Sequence, residues 1–73
     1  MSGFRVVTQP FSAKHISDDT WPHIVDFKTG EHLAIVRRDG SHTVFALKSD
    51  VDRPDRLEYI LDSKMFGEVT KGL

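Results

Sequence analysis

Apolar and polar residues alternate in several short runs along the first two thirds of the chain. The run FRVVT at residues 4–8 is rich in β-branched side chains and predicts a first strand. Residues 10–20 follow no sustained period and are rich in turn-forming residues, which predicts a loop. Beyond them, the runs WPHIVDF, EHLAIVRR and SHTVFALK each predict a strand.

Two turn signals separate these three runs. The Asp-Gly pair at 39–40 is typical of a two-residue hairpin, because both turn positions need a positive φ. The segment 28–30 ends in glycine and fits a three-residue hairpin turn with a bulge. We therefore predict a three-stranded antiparallel meander over about residues 22–48, in which Ile35 faces Val44.

A different period begins after residue 50. Four apolar residues have helical spacing and would form one apolar stripe: Leu57, Ile60, Leu61 and Met65. Asp52 is suited to cap the N-terminus of this helix, and Gly67 is suited to end it. The pattern predicts one C-terminal helix over about residues 53–65 and, with the strands, a single small α+β domain spanning residues 1–73.

The predicted meander has two partly apolar faces, because side chains alternate along each strand. One helix covers one face and leaves the other uncovered, unless the first strand or the 10–20 loop packs on it. An uncovered apolar face marks an interaction site, and methionine and phenylalanine at a helix end suit adaptable contacts. We therefore expect another protein, or a second copy of the chain, to bind a surface formed by Ile24, Val36, Phe45, Leu47, Met65 and Phe66.

Composition narrows the class of function. The chain of 73 residues has no cysteine, which excludes disulfides, thiolate zinc sites and catalysis by a cysteine nucleophile. A domain of this size buries only about 60% of the surface that its unfolded chain exposes, so a partner subunit would add stability. The chain has no apolar run of membrane-spanning length and no signal-peptide pattern at its start. We therefore expect no membrane contact and a cytoplasmic location.

A basic cluster in RRDGSHT, at residues 37–43, gives an alternative function. The predicted register places Arg37 opposite His42, with Arg38 nearer the turn. Trp21 would lie opposite Arg37 if it extends the first strand of the meander. Such a row could stack on a base or hold a phosphate, which would make the chain a nucleic-acid-binding module. The net charge of −1 argues against this alternative, because dedicated nucleic-acid binders usually carry a basic surface.

The segment HISDDTWPHIVD, at residues 15–26, contains the side chains of a metal or acid–base site. His23 and Asp26 are three apart on a predicted strand, so they would point to opposite faces. Asp26 would instead face His32 across the first hairpin, as an ordinary polar pair. With His15 in a predicted loop, we expect a non-enzymatic binding or regulatory module without cofactor or metal. A small enzyme or metal protein built on these four residues is the third alternative.

Overall fold

The computed structural model describes residues 3–16 and 24–73, which form one antiparallel sheet and one short helix. The strands are β1 (Phe4–Val7), β2 (Phe11–Ile16), β3 (Ile24–Phe27), β4 (His32–Asp39), β5 (His42–Leu47), β6 (Glu58–Asp62) and β7 (Thr70–Gly72). The helix α1 (Ser63–Val69) lies between the last two strands along the chain. Nowhere in these two ranges is a helix long and apolar enough to cross a membrane. The arrangement agrees with the α+β class, with a sheet larger than predicted.

The strands are ordered β3-β2-β6-β5-β4-β1-β7 across the sheet. Neighbouring strands lie about 4.8 Å apart, so β3 and β5 would be about 14 Å apart in a flat sheet. The rings of Phe27 on β3 and Phe45 on β5 instead have centroids only 5.4 Å apart. The sheet therefore curls strongly, with a concave inner face that holds the core and a convex outer face.

An aromatic cluster fills the inner face. Phe45 is fully buried, and its ring contacts those of four other aromatic residues: Phe11, Phe27, Tyr59 and Phe66. The first three belong to strands β2, β3 and β6, whereas Phe66 comes from α1 and lies 4.9 Å from Phe45. Several of these pairs are tilted or edge-to-face, which aromatic quadrupoles favour. The short helix thus packs on the middle of the curled sheet.

The predicted first strand is present as β1, and the predicted hairpin at 39–40 is present between β4 and β5. Asp39 pairs with His42, so the two loop residues are Gly40 and Ser41. Gly40 has a φ of +62°, which suits the first loop position of a type II′ turn. The hairpin is therefore confirmed, but its loop begins one residue later than predicted.

This later loop shifts the pairing of β4 with β5. Ile35 faces Phe45 rather than Val44, and an irregularity in the register at Val36 then brings Arg37 opposite Val44. A shift of one residue exchanges the two faces of a strand. Phe45, which was predicted on an uncovered face, therefore lies in the core.

The predicted meander is wrong at its first hairpin. β3 pairs with β2, with Phe27 facing Phe11, and it does not pair with β4. β2 lies within the segment 10–20, which was predicted to be a loop. Its inward side chains Phe11 and Ala13 are buried, but alanine gives little hydrophobic signal in a sequence. The pairing of β3 is decided by burial of Phe27 against distant rings, and no local pattern encodes that contact.

The helix predicted over 53–65 begins later in the structure, at Ser63, and is shorter, ending at Val69. Residues 49–57 form turns and irregular structure, and β6 follows, paired on both sides with β2 and β5. The carboxylate of Asp62 accepts a hydrogen bond from the amide of Met65 at 3.1 Å, so Asp62, and not Asp52, caps the helix. Tyr59 on β6 is buried with strand alternation, and this tertiary contact overrides the helical spacing.

Candidate partner-binding site

Strands β2 and β6 separate near the middle of the sheet. Their pairing covers three residue pairs and ends at Lys14 and Ile60. Beyond this pair, β2 remains paired with β3, and β6 remains paired with β5, so the two strands follow different neighbours. The separation opens a cleft of about 480 Å³ on the outer face, which we call the β2–β6 cleft.

The floor and one rim of the cleft are apolar. Four apolar residues line it: Ala13, Ile24, Ile60 and Leu61. Ala13 and Leu61 belong to the inner-facing positions of their strands, and they reach the cleft because the strands separate there. Ile24 is 67% exposed and stands on the outer face of β3. Full burial of an exposed isoleucine contributes about 1.5–3 kcal/mol, and the exposed two thirds of Ile24 would supply most of this on contact with a partner.

Polar side chains complete the lining, including one of each charge. The four residues are Ser12, Lys14, His42 and Asp62. The hydroxyl of Ser12 donates a hydrogen bond to Asp26, and Nδ1 of His42 lies 3.3 Å from the hydroxyl of Ser41. Asp62 is exposed and caps the helix, whereas Lys14 takes part in no ion pair with the described residues. Among the described residues, the cleft therefore presents an ammonium group on β2 that has no ion-pair partner, and a carboxylate on β6.

The rim of the cleft is also an edge of the sheet. Among the described strands, β3 pairs with β2 alone. Alternate backbone amide and carbonyl groups of an edge strand point away from its sheet and need water or another chain. Ile24 on this four-residue strand adds an exposed apolar side chain beside these backbone groups.

Two of the six predicted partner-binding residues are not available to a partner. Phe45 has no exposed surface, and Phe66 is buried against it. Their prediction as surface residues is wrong, because it depended on the unshifted register and on a helix that ended at Gly67. Gly67 instead lies within α1, and Phe66 on that helix faces the core.

The other four predicted residues do not form one surface. Ile24 lies at the cleft, whereas Val36 is half-buried where the pairing of β4 becomes irregular. Leu47 packs against the core, and Met65 is exposed on the helix. Of the predicted set, the structure thus places only Ile24 at the cleft; whether any of these residues binds a partner stays a prediction.

The predicted basic row is not formed by the described residues. Arg37 faces Val44 rather than His42, and its guanidinium forms an ion pair with Glu58 at 3.3 Å. Glu58 also accepts a hydrogen bond from Arg56 at 3.1 Å, so one carboxylate lies between two arginines.

The remaining residues of that row are apart. Arg38 is exposed and faces Thr43 in the sheet, whereas His42 lines the β2–β6 cleft. Trp21 lies outside the described residues. The 37–43 hairpin therefore presents less positive charge than its sequence indicates.

The predicted pairing of Asp26 with His32 is wrong, since Asp26 faces Ser12 and His32 faces Val6. His15 points inward, where its ring lies 5.6 Å from that of Tyr59. His23, Asp18 and Asp19 lie outside the described residues. In ranges 3–16 and 24–73, no three histidine or carboxylate side chains are grouped so as to hold a metal ion.

The core also contains the only tyrosine of the chain. Burial raises the pKa of Tyr59 above its usual value of 10.0, and the negative charges of Asp50 and Glu31 raise it further. The phenol is therefore kept protonated, and Tyr59 serves the core by packing among the aromatic rings.

Most of the cleft was missed from the sequence, including the polar residues Ser12, Lys14 and Asp62 and the apolar residue Ile60. These residues lie in the segments predicted to be a loop and a helix, so the separation of two strands could not be foreseen there. The alternation of buried Phe11 and Ala13 with exposed Ser12 and Lys14 is the one local signal for β2.

Comparison of the chain with protein-family models, with curated proteins and with solved structures finds no match.

Proposed function

We propose that the chain is a small non-enzymatic binding or regulatory module that self-associates through the outer face around the β2–β6 cleft. One observation carries this proposal: Ile24 is 67% exposed on β3, which pairs with β2 alone among the described strands, and it stands beside an apolar concavity. A large exposed apolar group next to a concave apolar site is a surface that a partner buries on binding.

Two general properties support a second copy as the partner. A chain of 73 residues has a small core, and oligomerisation is a common way to stabilise such a domain. Its net charge of −1 is close to neutral, so two copies approach each other with little long-range repulsion.

Sedimentation equilibrium over a micromolar concentration series tests the proposal. The unmodified chain is expected to form a species heavier than its 8.3 kDa monomer. Ile24→Asp puts a charge into the contact and is expected to shift the chain to monomer. Leu57→Asp is the matched control, because Leu57 is 48% exposed but does not line the cleft. Circular dichroism must show both variants folded, and a monomeric unmodified chain at every concentration contradicts the proposal.

The nucleic-acid alternative has one observation in its favour, which is the exposed Arg38 at the hairpin. The ion pair of Arg37 with Glu58 counts against it. A gel shift at low salt with single-stranded and duplex probes separates the two functions. We expect no shift, or a shift that ordinary salt abolishes; a salt-tolerant complex weakened by Arg38→Ala would favour the alternative.

A further inference from the structure

We infer that the β2–β6 cleft is occupied by Ile24 of a second copy, in a two-fold arrangement in which each copy inserts its Ile24 into the cleft of the other. The inference rests on the proposed self-association and specifies its geometry. It assigns Ile24 as the inserted group and Ile60 as its main contact in the facing copy.

The shape of the surface supports this arrangement. A two-fold dimer places a patch of one copy against the same patch of the other, so the patch must be complementary to itself. A projecting group beside a hollow of similar chemistry meets this condition. Ile24 projects at the rim, and the hollow beside it is apolar, with Ala13 at its floor and Ile60 on the outer face of β6.

The charges of the surface support it independently. A patch that carries charge of one sign repels its own copy, whereas a patch with both signs can pair with itself twice. Lys14 on β2 and Asp62 on β6 line the same cleft. Lys14 has no ion-pair partner in the described part of the chain, and Asp62 is exposed. The two-fold arrangement brings Lys14 of each copy to Asp62 of the other.

Backbone groups beside the cleft are also able to form hydrogen bonds with a second copy. Insertion of Ile24 brings the β3 edge of one copy close to the part of β2 that has left β6 in the other. Backbone groups in both regions need a hydrogen-bond partner outside the described strand pairs, either water or protein. An unrelated protein with one projecting apolar residue would fit the hollow equally, but it would not require balanced charges around it.

Cysteine cross-linking tests the geometry directly, because the chain contains no cysteine. Ile24→Cys and Ile60→Cys are made as separate chains, so every disulfide joins two copies. Mixed in equal amounts and oxidised mildly, they are expected to give clearly more mixed dimer than the two symmetric dimers together, as measured by intact mass, whereas random pairing would give as much mixed dimer as the sum of the other two. Leu57→Cys mixed with Ile60→Cys is the control, and it is expected to give only the random proportions.

The outcomes separate this inference from the function on which it rests. If the unmodified chain sediments as a dimer and the mixture of Ile24→Cys with Ile60→Cys shows no more mixed dimer than the control, the two-fold insertion is overturned and self-association stands. If the unmodified chain is monomeric throughout and neither mixture cross-links above background, both fail. An excess of the mixed dimer that disappears when Lys14→Glu is added to both chains supports the arrangement, including its ion pairs.

Discussion

Tyr59 and Ile60 are neighbours on β6, yet they belong to two very different regions of the molecule. Tyr59 points into the inner face, where rings from four strands and the helix contact one another. Ile60 points to the outer face, at the last pair before β2 and β6 separate, and lines the cleft. One strand thus supplies both a sealed core and an open site.

The difference teaches how such a small domain divides its apolar residues. The curl of the sheet brings the aromatic rings of the inner face together. On the outer face, the cleft opens where β2 and β6 separate. Apolar groups on the inner face stabilise the fold of one chain. On the outer face, Val44 and Ala46 are buried within the chain, whereas Ile24 is 67% exposed and is left for a partner to bury.

The largest effect is expected for a substitution in the aromatic core on the inner face, which we call the sealed side; the outer face around the cleft is the open side. Phe45→Ala removes a fully buried ring at the centre of the cluster, and such a change costs about 3–5 kcal/mol. A domain of this size has a comparable net stability, so the variant is expected to be largely unfolded by circular dichroism at 25 °C.

The matched change on the open side is Ile24→Ala. At concentrations where the chain is monomeric, it is expected to alter the free energy of unfolding in urea by no more than about 0.5 kcal/mol. The milder variant Phe45→Leu should remain folded and permit a measured loss. Equal losses for Phe45→Leu and Ile24→Ala would contradict the division into a sealed and an open side.

A smaller effect is expected at the far edge of the core. The guanidinium of Arg5 donates two hydrogen bonds to Thr70, to its side chain at 2.6 Å and to its carbonyl at 3.0 Å, and it lies over the ring of Phe66. Arg5→Met keeps much of the apolar length but removes these contacts, so the free energy of unfolding should fall by about 1–3 kcal/mol. Lys71→Met on the exposed end of β7 is the control and should change little, as measured by urea unfolding.

The sequence predicted those parts of the fold that depend on local turn chemistry. The hairpin of β4 and β5 could be recognised from Gly40, because glycine adopts the positive φ of a tight turn without strain. The register was beyond local reasoning, because the choice between two loops depends on whether Phe45 enters the core. The segment with Ile60 and Leu61 fits a helix and a strand alike, and only pairing with two neighbouring strands decides between them.

The candidate site was less predictable than the fold. Ile24 could be found because it is an apolar residue of a recognisable strand. Lys14 and Asp62 could not, since their place in one cleft depends on β2 and β6 lying side by side and then separating. Contacts between segments so far apart along the chain carry no signature in the local pattern of either one.

A further prediction concerns the charged residues that line the β2–β6 cleft. Lys14→Glu replaces the expected attraction to Asp62 of the other copy by repulsion, so the dissociation constant of the dimer should rise about tenfold, which is roughly 1.4 kcal/mol. Analytical ultracentrifugation at low and high salt measures this effect, and added salt should reduce it. Lys71→Glu, at the opposite edge of the sheet, is the control. An equal response of both variants would indicate a general effect of net charge.

The last prediction returns to Tyr59, and its effect is confined to alkaline solution. Its pKa is raised in the folded chain, chiefly by burial, above the value of 10.0 of an exposed tyrosine. A group whose folded pKa is raised contributes stability that is fully present below its unfolded pKa. That contribution is lost as the pH rises from about 10 through the raised folded pKa, because unfolding then releases the proton.

Since Tyr59 is the only tyrosine, the absorbance of tyrosinate reports it alone. Its titration midpoint should lie above that of the urea-unfolded chain, and the unfolding free energy should decline over the same range. Tyr59→Phe should remove this part of the alkaline decline. A midpoint equal to that of the unfolded chain would show that the phenol is open to solvent, and the contrast between the two sides of β6 would then be lost.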